Sequence, residues 1–108
     1  MRSEEFESRV RARIEKCLET LGVKAAEYVS TEDRLRAFKA AAALEKTTPE
    51  SALGGMLAKH IVSIYDMLSN PDRHSMARWD EKIGDAINYL LLLDALLHDN
   101  KESINEEN

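Results

Sequence analysis

Three polar residues towards the end of the chain have a spacing that suits metal chemistry. Glu81, Asp85 and Asn88 follow one another at intervals of four and three residues, so a helix places them on one face. Two carboxylates one helical turn apart can face the same cation, and Mg²⁺ binds such oxygens together with phosphate oxygens. The pattern predicts a Mg²⁺ site at Glu81 and Asp85, although acidic pairs of this spacing also occur on ordinary solvated helices.

A second group of polar residues lies about twenty positions earlier. Lys59, Ser63 and Asp66 again share one helical face, and His60 lies beside them, nearer the apolar side. Asp66 is a further candidate metal ligand, and Lys59 is a candidate phosphate ligand because its ammonium group acts as a point charge. His60 is either a contact to phosphate or metal-bound water, or a packed and hydrogen-bonded histidine.

No residue pattern indicates a catalytic nucleophile. The single cysteine, Cys17, lies on an apolar helical stripe and is predicted to pack in a core. One cysteine excludes an internal disulfide framework and fits a reducing cytoplasm, which is the expected location. The three histidines are scattered and lack the spacing of zinc ligands.

The composition is that of a small globular domain. The chain has 108 residues, 44% of them hydrophobic and 32% charged, which is enough to bury a core without metal or disulfide support. Its net charge of −5 disfavours nucleic-acid binding, because that binding depends mainly on neutralising phosphates. The longest apolar runs, Ala40–Leu44 and Tyr89–Leu93, are far shorter than the roughly 20 residues of a membrane span, so no membrane partner is expected.

Turn residues divide the chain into helical segments. Within each segment apolar residues recur every three or four positions, and no segment alternates as a strand does. Thr48-Pro49-Glu50 is typical of a helix start, whereas Gly54-Gly55 predicts that another helix approaches closely. The sequence therefore predicts an all-α bundle of about four main helices, in one domain over residues 1–98, with an acidic and flexible tail over residues 99–108. The predicted helices span 3–21, 30–44, 49–68 and 75–98.

The last predicted helix has an unusual distribution of apolar residues. From Leu90 to Leu97 it is apolar nearly all round, which predicts burial on all sides. The polar stripe with Asp85 therefore leads towards a cleft or a subunit interface, and a homo-oligomer, most simply a homodimer, is expected. Asp94 projects onto the apolar face, so either the helix leaves the core near its end or Asp94 has a partner there. The apolar face, opposite the polar stripe, contains Trp79, Ile83, Ile87, Leu90 and Leu97.

Part of the chain resembles a known family. The run from Asp80 to Leu90, with Asp85 and Asn88-Tyr89, resembles the final metal-binding helix of MazG-like proteins, the all-α nucleoside triphosphate pyrophosphatases. The segment from Lys24 to Tyr28, with Phe38 and Lys59-His60, is similar to a divergent branch of small phage and prophage proteins. The resemblance covers residues 24–98. It implies an oligomeric helical bundle with Mg²⁺-dependent cleavage of nucleotides to monophosphate and pyrophosphate.

Two departures from the family pattern leave the activity open. The family has an acid three residues before the final aspartate, and Lys82 stands there. The family's earlier Glu-x-x-Glu helix is matched only by Asp66. The site could therefore bind one metal ion instead of two, bind nucleotide without cleaving it, or be inactive.

Two functions follow from these observations. The first is nucleotide binding, with or without Mg²⁺-dependent pyrophosphohydrolysis. The alternative is a non-catalytic helical module of a phage or prophage that acts through a homo-oligomer or a protein partner. In the first function the metal ligands are Glu81, Asp85 and Asp66, the phosphate contacts are Lys24, Lys59 and His60, and Asn88 and Tyr89 lie near the base or ribose.

Overall fold

The described structure is entirely helical. A computed structural model describes residues 1–22 and 33–107 of the chain, and these residues contain no strand, which confirms the all-α prediction. None of their helices is long and apolar enough to cross a membrane. The helices are α1 (Ser3–Thr20), α2 (Arg36–Glu45), α3 (Pro49–Leu68) and α4 (Met76–Glu107), with a short 3₁₀ turn at Pro71–Arg73 between α3 and α4.

The chain forms two compact units, Met1–Thr31 and Glu32–Asn108. In the first unit, α1 ends at Thr20, and Gly22, the predicted glycine after the helix end, has a φ of 73°, which suits glycine. Cys17 is buried, as its place on the apolar stripe predicts, whereas Phe6 earlier on that stripe is 62% exposed. The expected single domain over residues 1–98 stays a prediction.

Local chemistry explains where α2 ends and where α3 begins. Lys46 takes up a left-handed conformation, and the N–H of Thr47 donates to the carbonyl of Ala42 at 2.9 Å, which closes the last turn of α2. The Thr48 hydroxyl accepts a hydrogen bond from the N–H of Ser51 at 3.2 Å, and Pro49 occupies the first helical position. The predicted start of α3 is therefore confirmed.

The glycine pair of α3 does not have the role that its position predicts. A β-carbon added at Gly54 or Gly55 would meet nothing within 4 Å. The prediction of a close helix approach at this point is therefore wrong. Each glycine costs about 1 kcal/mol of helix stability relative to alanine, and no packing interaction in the described residues offsets that cost.

The core of the second unit joins all three of its helices. Leu35, at the start of α2, and Phe38 pack with Leu53 of α3 and Leu96 of α4, and the last two are completely buried. Helices α3 and α4 run antiparallel, because Asn100 Nδ2 donates to Glu50 Oε2 at 3.1 Å at one end. Further along the pair, His60 lies beside Asp85 and Tyr89.

Helix α4 extends beyond the end that its sequence predicts. The apolar pattern stops at about His98, whereas the helix continues to Glu107. Polar contacts replace apolar packing where the pattern stops. Lys39 Nζ of α2 donates to Asp99 Oδ2 at 3.0 Å, and Asn100 contacts α3 as described above. Side-chain partners on other helices thus hold Asp99 and Asn100, the first two residues beyond the predicted end.

Lys39 connects two acidic residues that are far apart in the sequence. Its ammonium group donates to Asp33, ahead of α2, and to Asp99 in α4. The hydrogen bonds from Lys39 and from the N–H of Leu35 lower the pKa of Asp33. The hydrogen bonds to Asp33 and then to Asp99 raise the pKa of Lys39. The three groups are 40–44% exposed, so water screens much of their attraction.

Replacing Lys39 with methionine is expected to lower the melting temperature of the second unit by roughly 1–4 °C at pH 7. The contribution of Asp33 is present at neutral pH and is lost as pH falls through its lowered folded-state pKa. The contribution of Lys39 is lost as pH rises through its raised folded-state pKa. Thermal melts from pH 2 to pH 11 should therefore show the largest difference at intermediate pH. Arg36→Met, an exposed change on the same helix, is the control, and a difference from wild type that does not vary with pH contradicts the assignment.

Candidate polar site on the α3–α4 pair

A histidine, a carboxylate and a tyrosine meet where α3 passes α4. The Nδ1 atom of His60 lies 3.8 Å from Oδ2 of Asp85, and the two side chains are 24% and 38% exposed. The rings of His60 and Tyr89 have their centroids 4.9 Å apart and are tilted by 34°. Residues 85 and 89 lie one turn apart on α4, so both can face the single histidine on α3. The sequence predicts each residue as a site residue, and the structure brings the three together.

Asn88 adds a buried hydrogen-bond acceptor beside this group. The residue is only 8% exposed, and among the described residues its Oδ1 atom is the one buried side-chain oxygen or nitrogen that has no hydrogen-bond partner. An unsatisfied buried polar atom costs about 1–3 kcal/mol. Such an atom has an uncompensated cost, a bound water as its partner, or a donor that arrives with a ligand. The predicted burial of the polar stripe is confirmed at Asn88.

The aromatic part of the site extends to α2. The Phe38 ring meets the Tyr89 ring edge to face, with centroids 6.4 Å apart and an angle of 70°. Tyr89 thus lies between Phe38, which is buried in the core, and His60, which is partly exposed. The sequence gives no signal for this stacking, because the register between α2, α3 and α4 cannot be derived from one chain's periodicity. The sequence singles out Phe38 as a site residue only through the family resemblance.

Several predicted site residues do not belong to this cluster. Glu81, Asp66 and Lys59 are exposed on their helices. Among the side chains that the structure describes, those of residues 1–22 and 33–101, no three His, Cys, Asp or Glu residues come together as a group that could hold a metal ion. The described carboxylates therefore do not fit a Mg²⁺ site built by protein ligands alone. Lys24 lies outside the described residues, so its predicted phosphate contact stays a prediction.

The cluster offers three kinds of interaction to a ligand. The Tyr89 and His60 rings, tilted by 34° to each other, provide aromatic contacts, Asp85 accepts hydrogen bonds, and Asn88 Oδ1 accepts one from a buried donor. A planar heterocycle with N–H groups, carrying hydroxyl or phosphate substituents, uses all three. No protein-family model, curated protein or solved structure matches the chain.

Proposed function

We propose that the cluster of His60, Asp85, Asn88 and Tyr89 binds a nucleotide. The observation that carries the proposal is the buried Oδ1 atom of Asn88, which lacks a hydrogen-bond donor; the next residue, Tyr89, has its ring 4.9 Å from that of His60. A nucleobase supplies such a donor from a ring or exocyclic nitrogen, and it stacks on aromatic rings. The resemblance to MazG-like proteins directs the proposal to nucleoside triphosphates.

Phosphate binding is assigned to the basic residues on the same side of α3. His60 is partly exposed at the mouth of the cluster, and Lys59 is the adjacent residue on the helix surface. Both are suited to bind phosphate oxygens, Lys59 as a mobile point charge and His60 when its ring is protonated. Lys24, the other predicted phosphate contact, belongs to this proposal through the resemblance alone.

Metal-dependent pyrophosphohydrolysis is a part of the proposal that is separate from nucleotide binding. Mg²⁺ is commonly held by one or two carboxylates and completed by substrate phosphates and waters. Asp85 is the carboxylate at the cluster, whereas Glu81 and Asp66 are exposed. We therefore expect Mg²⁺ to associate with this chain only together with a nucleotide.

Isothermal titration of the full chain with nucleoside mono-, di- and triphosphates tests nucleotide binding. We expect saturable binding to at least one base type, and at least a tenfold weaker affinity in Asp85→Ala. Asp72→Ala, an exposed change in the 3₁₀ turn, is the matched control and should bind as wild type does. Absence of saturable binding by any nucleotide, with or without Mg²⁺, refutes the proposal. Pyrophosphate release measured in the same mixtures decides separately whether a bound nucleotide is cleaved.

A second candidate function rests on a different observation. Many large apolar side chains of α3 and α4 are exposed, among them Tyr65 at 69% and Leu90 at 51%. Exposed apolar patches of this kind mark interaction surfaces. This observation favours the alternative from the sequence, a helical module that acts through a homo-oligomer or a protein partner. The two functions are compatible, because the apolar side chains and the polar cluster are different residues.

A further inference from the structure

Helix α4 has apolar side chains on its outward face as well as on the face that packs in the core. Its polar residues Asp85 and Asn88 point towards α3 and the core, and Asn88 is buried. Its apolar residues Ile83, Leu90 and Leu97 point outwards and are 37%, 51% and 49% exposed. A surface helix normally buries the apolar face and exposes the polar one. The outward face of α4 is therefore composed like a face that another molecule covers.

Helix α3 contributes to the same side of the antiparallel pair. At about 100° per residue, Ile61, Tyr65 and Leu68 lie roughly 100° round α3 from the residues that face α4. On α4, Ile83, Leu90 and Leu97 are rotated around the helix axis from the residues that face α3. The angle is similar, and the rotation has the same direction along the sequence. Because the two helices are antiparallel, both sets of residues lie on the same side of the helix pair. The six residues form what we term the outer apolar face.

No other described helix of this unit covers the outer apolar face. Helix α2 packs where Lys39 reaches Asp99 and Phe38 reaches Tyr89. Those contacts lie on the core side and the polar side of α4. The exposed fractions of the six residues, from 37% to 69%, show that their side chains remain accessible.

The spacing on α4 identifies a helix as the fitting occupant. Met76, Ile83, Leu90 and Leu97 recur at intervals of seven residues, and all four are exposed. A seven-residue apolar repeat supplies one of the two apolar positions per heptad through which two helices pack along a common seam. Asp94 interrupts the seam, with its side chain 74% exposed and 3.6 Å from Nδ1 of His98. Of the two alternatives raised for Asp94 by the sequence, the structure shows a neighbouring partner, whereas the helix has not left the core, because Leu96 two residues later is completely buried.

We propose that a second copy of this chain binds the outer apolar face, with the two α4 helices antiparallel about Leu90. A parallel pair would place Asp94 against Asp94 and Lys101 against Lys101, so like charges would face each other. The antiparallel pair separates these charges and places Lys101 opposite Trp79 of the other copy. It also packs Ile83 of one copy against Leu97 of the other.

The size of the outer apolar face agrees with a dimer interface. With roughly 200 Å² for a large apolar side chain that is fully exposed, its six members together expose on the order of 600 Å². A standard protein interface buries about 800 Å² on each partner, and polar residues at the rim supply the remainder. This inference deepens the second candidate function and requires no nucleotide.

Sedimentation velocity of the full chain tests the self-association. We expect a dimer at micromolar concentration, and at least a 100-fold higher dissociation constant in Leu90→Glu, because a central apolar anchor is replaced by a charge. Leu44→Glu is the matched control, since Leu44 is 86% exposed on α2 and should leave the dimer intact. Helical circular dichroism confirms that each variant is folded. If Leu90→Glu is unfolded, Asp94→Leu decides instead, because it should tighten the dimer.

Cysteine cross-linking tests the antiparallel arrangement. A mixture of Ile83→Cys and Leu97→Cys chains should form the mixed disulfide dimer, whereas Ile83→Cys alone should not form a dimer. The native Cys17 is buried, so the wild-type chain is the control for background cross-linking. A monomeric wild type, or a Leu90→Glu variant that dimerises normally, refutes self-association through this face. Cross-linking of Ile83→Cys to itself refutes the antiparallel pairing. Neither outcome alters the nucleotide titration, so the two proposals fail independently.

Discussion

Replacing Asn88 with leucine is expected to raise the free energy of unfolding by about 1 kcal/mol and to abolish nucleotide binding. The gain arises because the substitution removes a buried oxygen that has no hydrogen-bond donor in the chain. The loss of binding arises because the same oxygen is the proposed acceptor for the nucleobase. Urea unfolding measures the first effect and calorimetric titration the second. If Asn88→Leu raises the free energy of unfolding and removes nucleotide binding, Asn88 is a binding residue that lowers the stability of the protein.

Asn100→Leu is the matched control for this substitution. Asn100 lies on the same helix, but its amide donates to Glu50 at 3.1 Å. Its replacement should therefore leave stability unchanged or slightly lower, and nucleotide affinity unaffected. If Asn88→Leu instead unfolds at lower urea concentration than wild type, the amide has a structural role and the argument for a ligand donor is lost. Asn88→Ala distinguishes overpacking by the larger leucine from loss of a structural hydrogen bond.

Replacing Leu53 with alanine is expected to lower the free energy of unfolding of the second unit by about 2–5 kcal/mol. Leu53 is completely buried, and it packs with core residues contributed by α2 and α4. Truncation leaves a cavity at the point where all three helices meet, and the surrounding side chains relax only in part. Urea unfolding followed by circular dichroism gives the measurement. A loss below about 1 kcal/mol would show that the three helices do not depend on this contact.

Leu44→Ala is the control for the core substitution. It removes the same atoms from a side chain that is 86% exposed on α2, and surface changes usually alter stability by less than about 0.5 kcal/mol. The pair of variants therefore separates the effect of burial from the effect of removing a leucine. Because neither residue belongs to the outer apolar face, any change in self-association does not enter the comparison.

Local signals in the sequence predict the helices well. Thr48-Pro49 and Gly22 mark a helix start and a helix end through capping chemistry, which depends on only a few neighbouring residues. The end of α4 is predicted poorly, because Asp99 and Asn100 are held by partners on α2 and α3. The space around Gly54 and Gly55 is likewise a tertiary property, and the prediction there is wrong.

The candidate site is only partly predictable for the same reason. Periodicity correctly places Asp85 and Asn88 on a face of α4 that turns inwards. It does not show that His60 and Tyr89 stack, since that contact depends on the register of two helices. The exposure of Glu81 and Asp66 could not be read from their spacing. An acidic pair one turn apart is compatible with both solvent and a cation.

The glycine pair in α3 has a consequence for how a ligand could reach Asn88. Gly54 and Gly55 lie between Leu53, which is anchored in the core, and His60 about one and a half turns later. No neighbouring atom would restrain a β-carbon there, so packing does not stiffen the helix at this point. Paired glycines are common sites of helix bending. Because Asn88 Oδ1 is buried, a ligand reaches it only if a neighbouring segment moves, and a bend of α3 at this glycine pair would be one such movement.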